Sequence, residues 1–134
     1  FGELYGAMYN WYAVNTGSLC PDGWHVPTDA EWTILTDYLG GEAVAGGQLK
    51  EAGTEHWTSP NTDATNTTGF TALPGGYRSN GGQYYSIGSR GSWHTSSEKD
   101  NMFVWRRDMQ SNHGEVKRWD NNKNFGFSVR CIKD

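Results

Sequence analysis

In the last third of the chain, apolar and polar positions alternate with period two. From Val104 to Met109, Trp105, Arg107 and Met109 share one parity and Val104, Arg106 and Asp108 the other. That is the pattern of a strand whose successive side chains leave opposite faces. A polar turn over 110–114 reverses the chain. On the return, Val116 and Arg118 fall on one face and Glu115, Lys117 and Trp119 on the other. A terminal strand over Gly126 to Ile132 is predicted to turn Phe127, Val129 and Cys131 one way.

Upstream the period becomes helical. Thr28-Asp29-Ala30-Glu31 is a capping box, in which the threonine hydroxyl and the glutamate carboxylate exchange hydrogen bonds with each other's backbone N–H. It predicts a helix over about 28–39. Trp32, Leu35 and Leu39 face the core, with Ile34 and Tyr38 alongside, and Gly40-Gly41 supplies a left-handed stop. A second, shorter helix is expected within 43–52, weakened at Gly46-Gly47 by roughly 1 kcal/mol per residue in propensity. Residues 53–69 are nearly all turn formers and read as a long ordered loop anchored by Trp57. Phe70 and Leu73 are expected to pack inward, Gly75-Gly76 to allow close backbone approach, and 79–82 to turn. Near the start, the Tyr- and Trp-rich run Leu4–Val14 predicts an edge strand followed by a turn at 15–17. The Pro21-Asp22-Gly23 turn then opens a short extended segment that Pro27 closes. The chain has no internal repeat and no linker.

Composition narrows the partners. With 134 residues, 14 % aromatic and seven Trp, the chain suits one domain whose core leans on a few large rings. Fifteen acids against eleven bases give a net charge of −4, so no global field draws it to nucleic acid. No apolar run reaches the length of a membrane span, and the start lacks the order of a signal peptide, so the chain reads as a domain excised from a larger protein. Cys20 and Cys131 have no metal-like partners nearby. From the residues alone they are either a disulfide or two buried thiols.

Cys20-Pro21-Asp22-Gly23-Trp24-His25-Val26-Pro27-Thr28-Asp29-Ala30-Glu31-Trp32, then 57–62, Gly69-Phe70-Thr71-Ala72-Leu73-Pro74-Gly75-Gly76-Tyr77-Arg78 and 126–131, resemble the Fibrobacter succinogenes major paralogous domain. The resemblance spans nearly the whole chain, although the family's usual N-terminal segment is missing before Phe1. That family is similar to the formylglycine-generating sulfatase-modifying domain. The resemblance therefore implies an α+β, C-type-lectin-like fold with adjacent N- and C-terminal strands. It also implies a Cys20–Cys131 disulfide, hence an extracellular or cell-surface location. It assigns Val104, Trp105, Met109, Val116, Gly126 and Phe127 to the scaffold, and Trp93 and Cys131 join them. The chain departs from the family background at Arg106, Asp108, Glu115, Lys117, Trp119, Asp120 and Phe125, with Arg90, Ser92 and His94 upstream.

Those ten residues are the candidate ligand-binding set, mostly positions that alternation turns outward. Exposed rings beside charges that orient hydroxyls suit a glycan or a protein partner. The competing reading is a self-neutralising polar face with Arg106–Glu115 or Asp108–Lys117 pairs. Glu98, Asp100, Asn101, Glu115, Asp120 and Asn121 faintly resemble lectin calcium ligands, but the proline of the lectin tripeptide is absent, so no metal ligand is assigned and calcium is a minor alternative. The 61–66 loop could hold a structural cation or form Asx-turns, and Asx-turns are the preferred reading.

His25, His56, His94 and His113 are scattered, and no nucleophile elbow or phosphate loop is present. The reactive late cysteine pair of formylglycine-generating enzymes is reduced here to Cys131. The expectation is a non-catalytic, monomeric binding module with no cofactor and no membrane insertion. Two alternatives stand beside it. One is a protein-recognition domain diversified by a retroelement, whose variable proteins the chain also resembles; adenine mutagenesis of AAY codons, however, cannot yield Lys117, Glu115 or Trp119. The other is a structural or adhesin repeat without its own ligand.

Overall fold

The structure, a computed structural model, describes residues 1–134. In chain order the elements are α1 (Gly2–Tyr5), α2 (Trp11–Val14), β1 (Trp24–His25), α3 (Asp29–Tyr38), α4 (Glu42–Leu49), β2 (Tyr77–Arg78), β3 (Tyr84–Tyr85), β4 (Arg90–Glu98), β5 (Phe103–Gln110), β6 (Val116–Asn122) and β7 (Ile132–Lys133). This is a mixed α/β architecture with few helices and three small antiparallel sheets: β4-β5-β6, β2-β3 and β1-β7.

α3 starts where its capping box requires. The Thr28 hydroxyl accepts from the Glu31 N–H at 3.1 Å, and the Thr28 N–H donates to the Glu31 carboxylate at 3.0 Å. It stops at Gly40 and Gly41, both at positive φ, where the Gly41 N–H reaches back to the Thr36 carbonyl. α4 forms despite two adjacent glycines because nothing larger fits. A Cβ on Gly46 would lie 2.3 Å from the Glu115 carbonyl oxygen, and one on Gly47 would lie 2.3 Å from that of Asp63. The helix backbone thus presses against both the β5–β6 turn and the 61–66 loop.

The main core lies between these helices and one face of the β4-β5-β6 sheet. Trp32, Ala45, Leu49, Trp57, Ala72, Trp93, Met109 and Val116 form it, with Leu35, Leu39 and Phe70 at the margin. Trp57 anchors the long loop as expected, donating its indole N–H to the Ala72 carbonyl at 2.9 Å. Lys50, fully buried, donates its ammonium to the carbonyls of Thr62, Gln110 and His113 at 2.9–3.0 Å, tying that loop to the β5–β6 turn. Burial pushes its pKa down to about 8. Arg107, also fully buried, and Arg118 converge on Asp29, fastening β5 and β6 to the first turn of α3. Asp29 is held below the usual carboxylate range by those two guanidiniums, which outweigh its desolvation.

Two expectations near the termini are corrected. Leu4–Val14 is not a strand but two single helical turns with one bridge, Tyr9 to Phe127, between them. The Asn10 side chain accepts from the Ala13 N–H and caps α2, so local capping overrides the β preference of the Tyr and Trp residues. Gly126–Ile132 is likewise no continuous strand. Gly126, Phe127 and Ser128 each make a single bridge, to Arg78, Tyr9 and Trp93, and only Ile132 continues as β7, paired with β1. The two ends of the chain do meet. Trp24 and His25 pair with Lys133 and Ile132, and a Cys20–Cys131 disulfide, Cα–Cα 5.9 Å, joins the same regions. A second cluster of Trp11, Val14, Val26 and Val104 packs beside it.

Candidate functional site

Register sets the composition of the sheet face opposite the main core. Ser92 pairs with Asp108 and His94 with Arg106 across β4 and β5, while Arg106 pairs with Trp119 and Asp108 with Lys117 across β5 and β6. With Arg90 at the end of β4, this brings seven of the ten candidates onto one face; alternation anticipates it for Arg106, Asp108, Lys117 and Trp119, whereas the β4 strand that adds Arg90, Ser92 and His94 is not among the elements predicted from the sequence. Asp120 leaves by the other face, opposite Trp105, where Lys99 takes its carboxylate. Glu115 sits just before β6 and pairs with Lys117. Phe125 lies at the border of the face, half-buried, stacked 6.1 Å from Tyr77 and 6.4 Å from Phe127.

The face is not the solvated surface expected. Ser92, His94 and Asp108 have no exposed area and Arg106 only 6 %, because the Tyr9 and 126–128 segments cover the β4 side. The Ser128 N–H donates to the Ser92 carbonyl, and the His94 N–H to that of Ser128. The His94 imidazole donates through Nε2 to the Tyr9 carbonyl at 2.7 Å and packs edge-on against Phe127. Burial pushes its pKa down to about 4. These residues therefore form the floor of the site.

What remains open is Trp119, 39 % exposed. The Arg106 guanidinium lies 5.4 Å from its ring and 5.2 Å from that of Phe127, while the Arg90 guanidinium lies 5.7 Å from Trp119 and 5.8 Å from Tyr77. With Arg106 6 % exposed and Trp119 39 %, the indole helps to cover that guanidinium, whereas a quarter of the Arg90 side chain stays open beside it. Asp108 holds both cations from below, through an ion pair to Arg106 and a 3.4 Å approach of its Oδ2 to Arg90 Nε. Tyr77 was missed by sequence reasoning because it lies within a scaffold-like motif. Its stack on Tyr85, 5.6 Å away, depends on the β2–β3 hairpin, of which only the turn residues are legible.

Elsewhere, polar groups satisfy one another. Lys123 takes Glu98, and Asp100 accepts from the N–H groups of Met102 and Phe103 at 2.8 and 2.9 Å. In the 61–66 loop, the Asn61 amide points inward to the carbonyls of Glu51 and Gly53, whereas Asn66 accepts from the Thr71 N–H. Glu51, Glu55 and His56 offer metal-ligand chemistry within 4.8 Å of one another, but the His56 ring already contacts the Glu51 carboxylate at 2.9 Å. His25 bridges Asp134 and Glu31, whose hydrogen bonds raise its pKa. The His113 ring accepts from the Glu115 N–H. An apolar cleft of about 290 Å³ lies between α3 and the C-terminal residues, lined by Trp32, Leu35, Phe70 and Ile132 among others. None of the four clefts in the molecule includes Trp119, Arg90 or Tyr77. No helix is long and apolar enough to cross a membrane.

Comparisons with curated proteins and with solved structures give no match. A family profile, by contrast, matches residues 2–133, from the first helical turn to the last strand, and by that match the chain belongs to the Fibrobacter succinogenes major domain family.

Proposed function

We propose that this domain is a non-catalytic ligand-binding module of an exported or cell-surface bacterial protein, with a C-type-lectin-like fold, and that it presents the Trp119 face of β4-β5-β6 to a glycan or protein. The observation that carries this reading is the pairing of a half-open indole with two guanidiniums that a fully buried carboxylate holds in place. A buried ion pair such as that of Asp108 is a weak source of stability compared with apolar packing, since desolvation offsets most of its attraction. Fixing a charged, aromatic surface for a ligand accounts for that expense. The open ring is of the kind that anchors interfaces.

The fold assignment draws support from the meeting of the chain ends at β1 and β7 and at Tyr9 and Phe127. The Cys20–Cys131 bond fits an oxidising, extracellular environment. A glycan array probed with wild type and Trp119→Ala tests the reading: spots that lose signal in the variant support it, and equal signal from both proteins rejects the face.

A further inference from the structure

Arg90 differs from the other guanidiniums of the sheet. Arg106 spends its Nη1 on Ser92 and Asp108, Arg107 uses both terminal nitrogens on Asp29, Thr33 and Glu42, and Arg118 holds Asp29. The one polar contact of the Arg90 side chain is through Nε, 3.4 Å from Asp108 Oδ2. With Nε turned to a buried carboxylate and a quarter of the side chain exposed, the open part is the terminal fork, flanked by Tyr77 and Trp119.

The floor beneath is electrostatically incomplete. Two guanidiniums face one carboxylate, an excess of one positive charge in a chain whose net charge is −4. Arg106 Nε and Asp108 Oδ2 are buried without a hydrogen-bond partner. Both atoms lie out of a ligand's reach, so what a ligand can complete here is the charge balance rather than their hydrogen bonds.

Resting on the binding reading above, we propose that the ligand is an acidic saccharide, with a uronate carboxylate bidentate on the Arg90 fork and the sugar ring laid on the outer side of Trp119. A carboxylate matches the planar fork and carries the single charge that balances the excess, whereas a phosphate dianion overshoots it. A sugar ring suits the platform because the indole is flat and no cleft over it would receive an inserted side chain. Tyr85, about half exposed and stacked on Tyr77, adds a hydroxyl beside that surface for the saccharide's own.

Calorimetric titration of the intact domain with oligogalacturonate, with its methyl ester and with a poly-glutamate peptide tests this. Wild type, Arg90→Gln, Arg90→Lys and Trp119→Ala are compared, each first checked for folding by thermal melting. The expected result is binding of the acid at least tenfold tighter than the ester, loss of that preference in Arg90→Gln, partial retention in Arg90→Lys, and weakening of both sugars in Trp119→Ala. Absence of oligogalacturonate binding, or wild-type affinity in Arg90→Gln, overturns the inference. Equal binding of acid and ester that Trp119→Ala abolishes overturns the carboxylate requirement but leaves the face intact, as does peptide binding without sugar binding. Sugar binding that survives every variant removes the face itself.

Discussion

At the scale of single residues, the buried polar groups produce the sharpest expectations. His94 is neutral in the fold with a pKa of about 4, against 6.5 for the unfolded chain. The unfolded state therefore takes up the proton first, and stability present at neutral pH is lost as pH falls from about 6.5 to 4. A shift of this size corresponds to about 3 kcal/mol. Chemical denaturation across that range will show the loss, and His94→Gln will flatten it; an unchanged slope in the variant contradicts the assignment. His25 acts oppositely and in a different window, since its raised pKa gives stability that is complete below 6.5 and fades as pH rises past the folded value. Lys50→Met leaves the Thr62, Gln110 and His113 carbonyls without their donor, and is expected to cost about 2–4 kcal/mol in denaturant titration. Neither burial is legible in the sequence. Alternation places Arg106 and Asp108 on a shared face, but the segments that cover it, around Tyr9 and Phe127, lie far away in the chain.

Among the elements, α3 was the most legible because its signals are local: a capping box, a helical apolar stripe and a glycine stop. α4 shows the limit of such reasoning. Its Gly46-Gly47 pair counts against a helix in propensity, yet long-range packing demands it. Replacing Gly46 by Ala gains about 1 kcal/mol of helix propensity but drives a Cβ to 2.3 Å from the Glu115 carbonyl oxygen. Overpacking of that kind costs typically 1–3 kcal/mol or more, so the clash wins and a net loss in melting temperature is expected. A stabilised Gly46→Ala variant would show that the β5–β6 turn yields freely. The N-terminal run misled in the opposite sense. Tyr and Trp favour strands on average, but the Asn10 cap acts on the backbone directly and turns Trp11–Val14 into a helical turn.

For the whole molecule, the Cys20–Cys131 bond closes a loop spanning 111 positions of the chain. Constraining so long a loop in the unfolded state is worth about 4–5 kcal/mol on the chain-entropy account. A Cys20→Ser, Cys131→Ser double variant should lose stability of that order in denaturant; a loss under about 1 kcal/mol would mean that the β1–β7 pairing holds the ends together unaided. Just upstream of Cys131, the 126–128 segment bridges Arg78, Tyr9 and Trp93 and covers the floor over which Arg90 and Trp119 lie. The proposed face is thus a product of the complete fold: its members come from β2, β4, β5, β6 and the final loop, and only those on β5 and β6 are aligned by period alone.

The central claim is that ligand meets the protein at Trp119 rather than at the apolar cleft beside α3. The seven indole N–H groups report on both places in a ¹H–¹⁵N spectrum, with Trp119 on the face and Trp32 lining the cleft. Titration with the saccharide that gives the strongest array signal should shift the Trp119 resonance while Trp32 and Trp57 stay fixed. A shift at Trp32 with Trp119 unmoved would contradict the account.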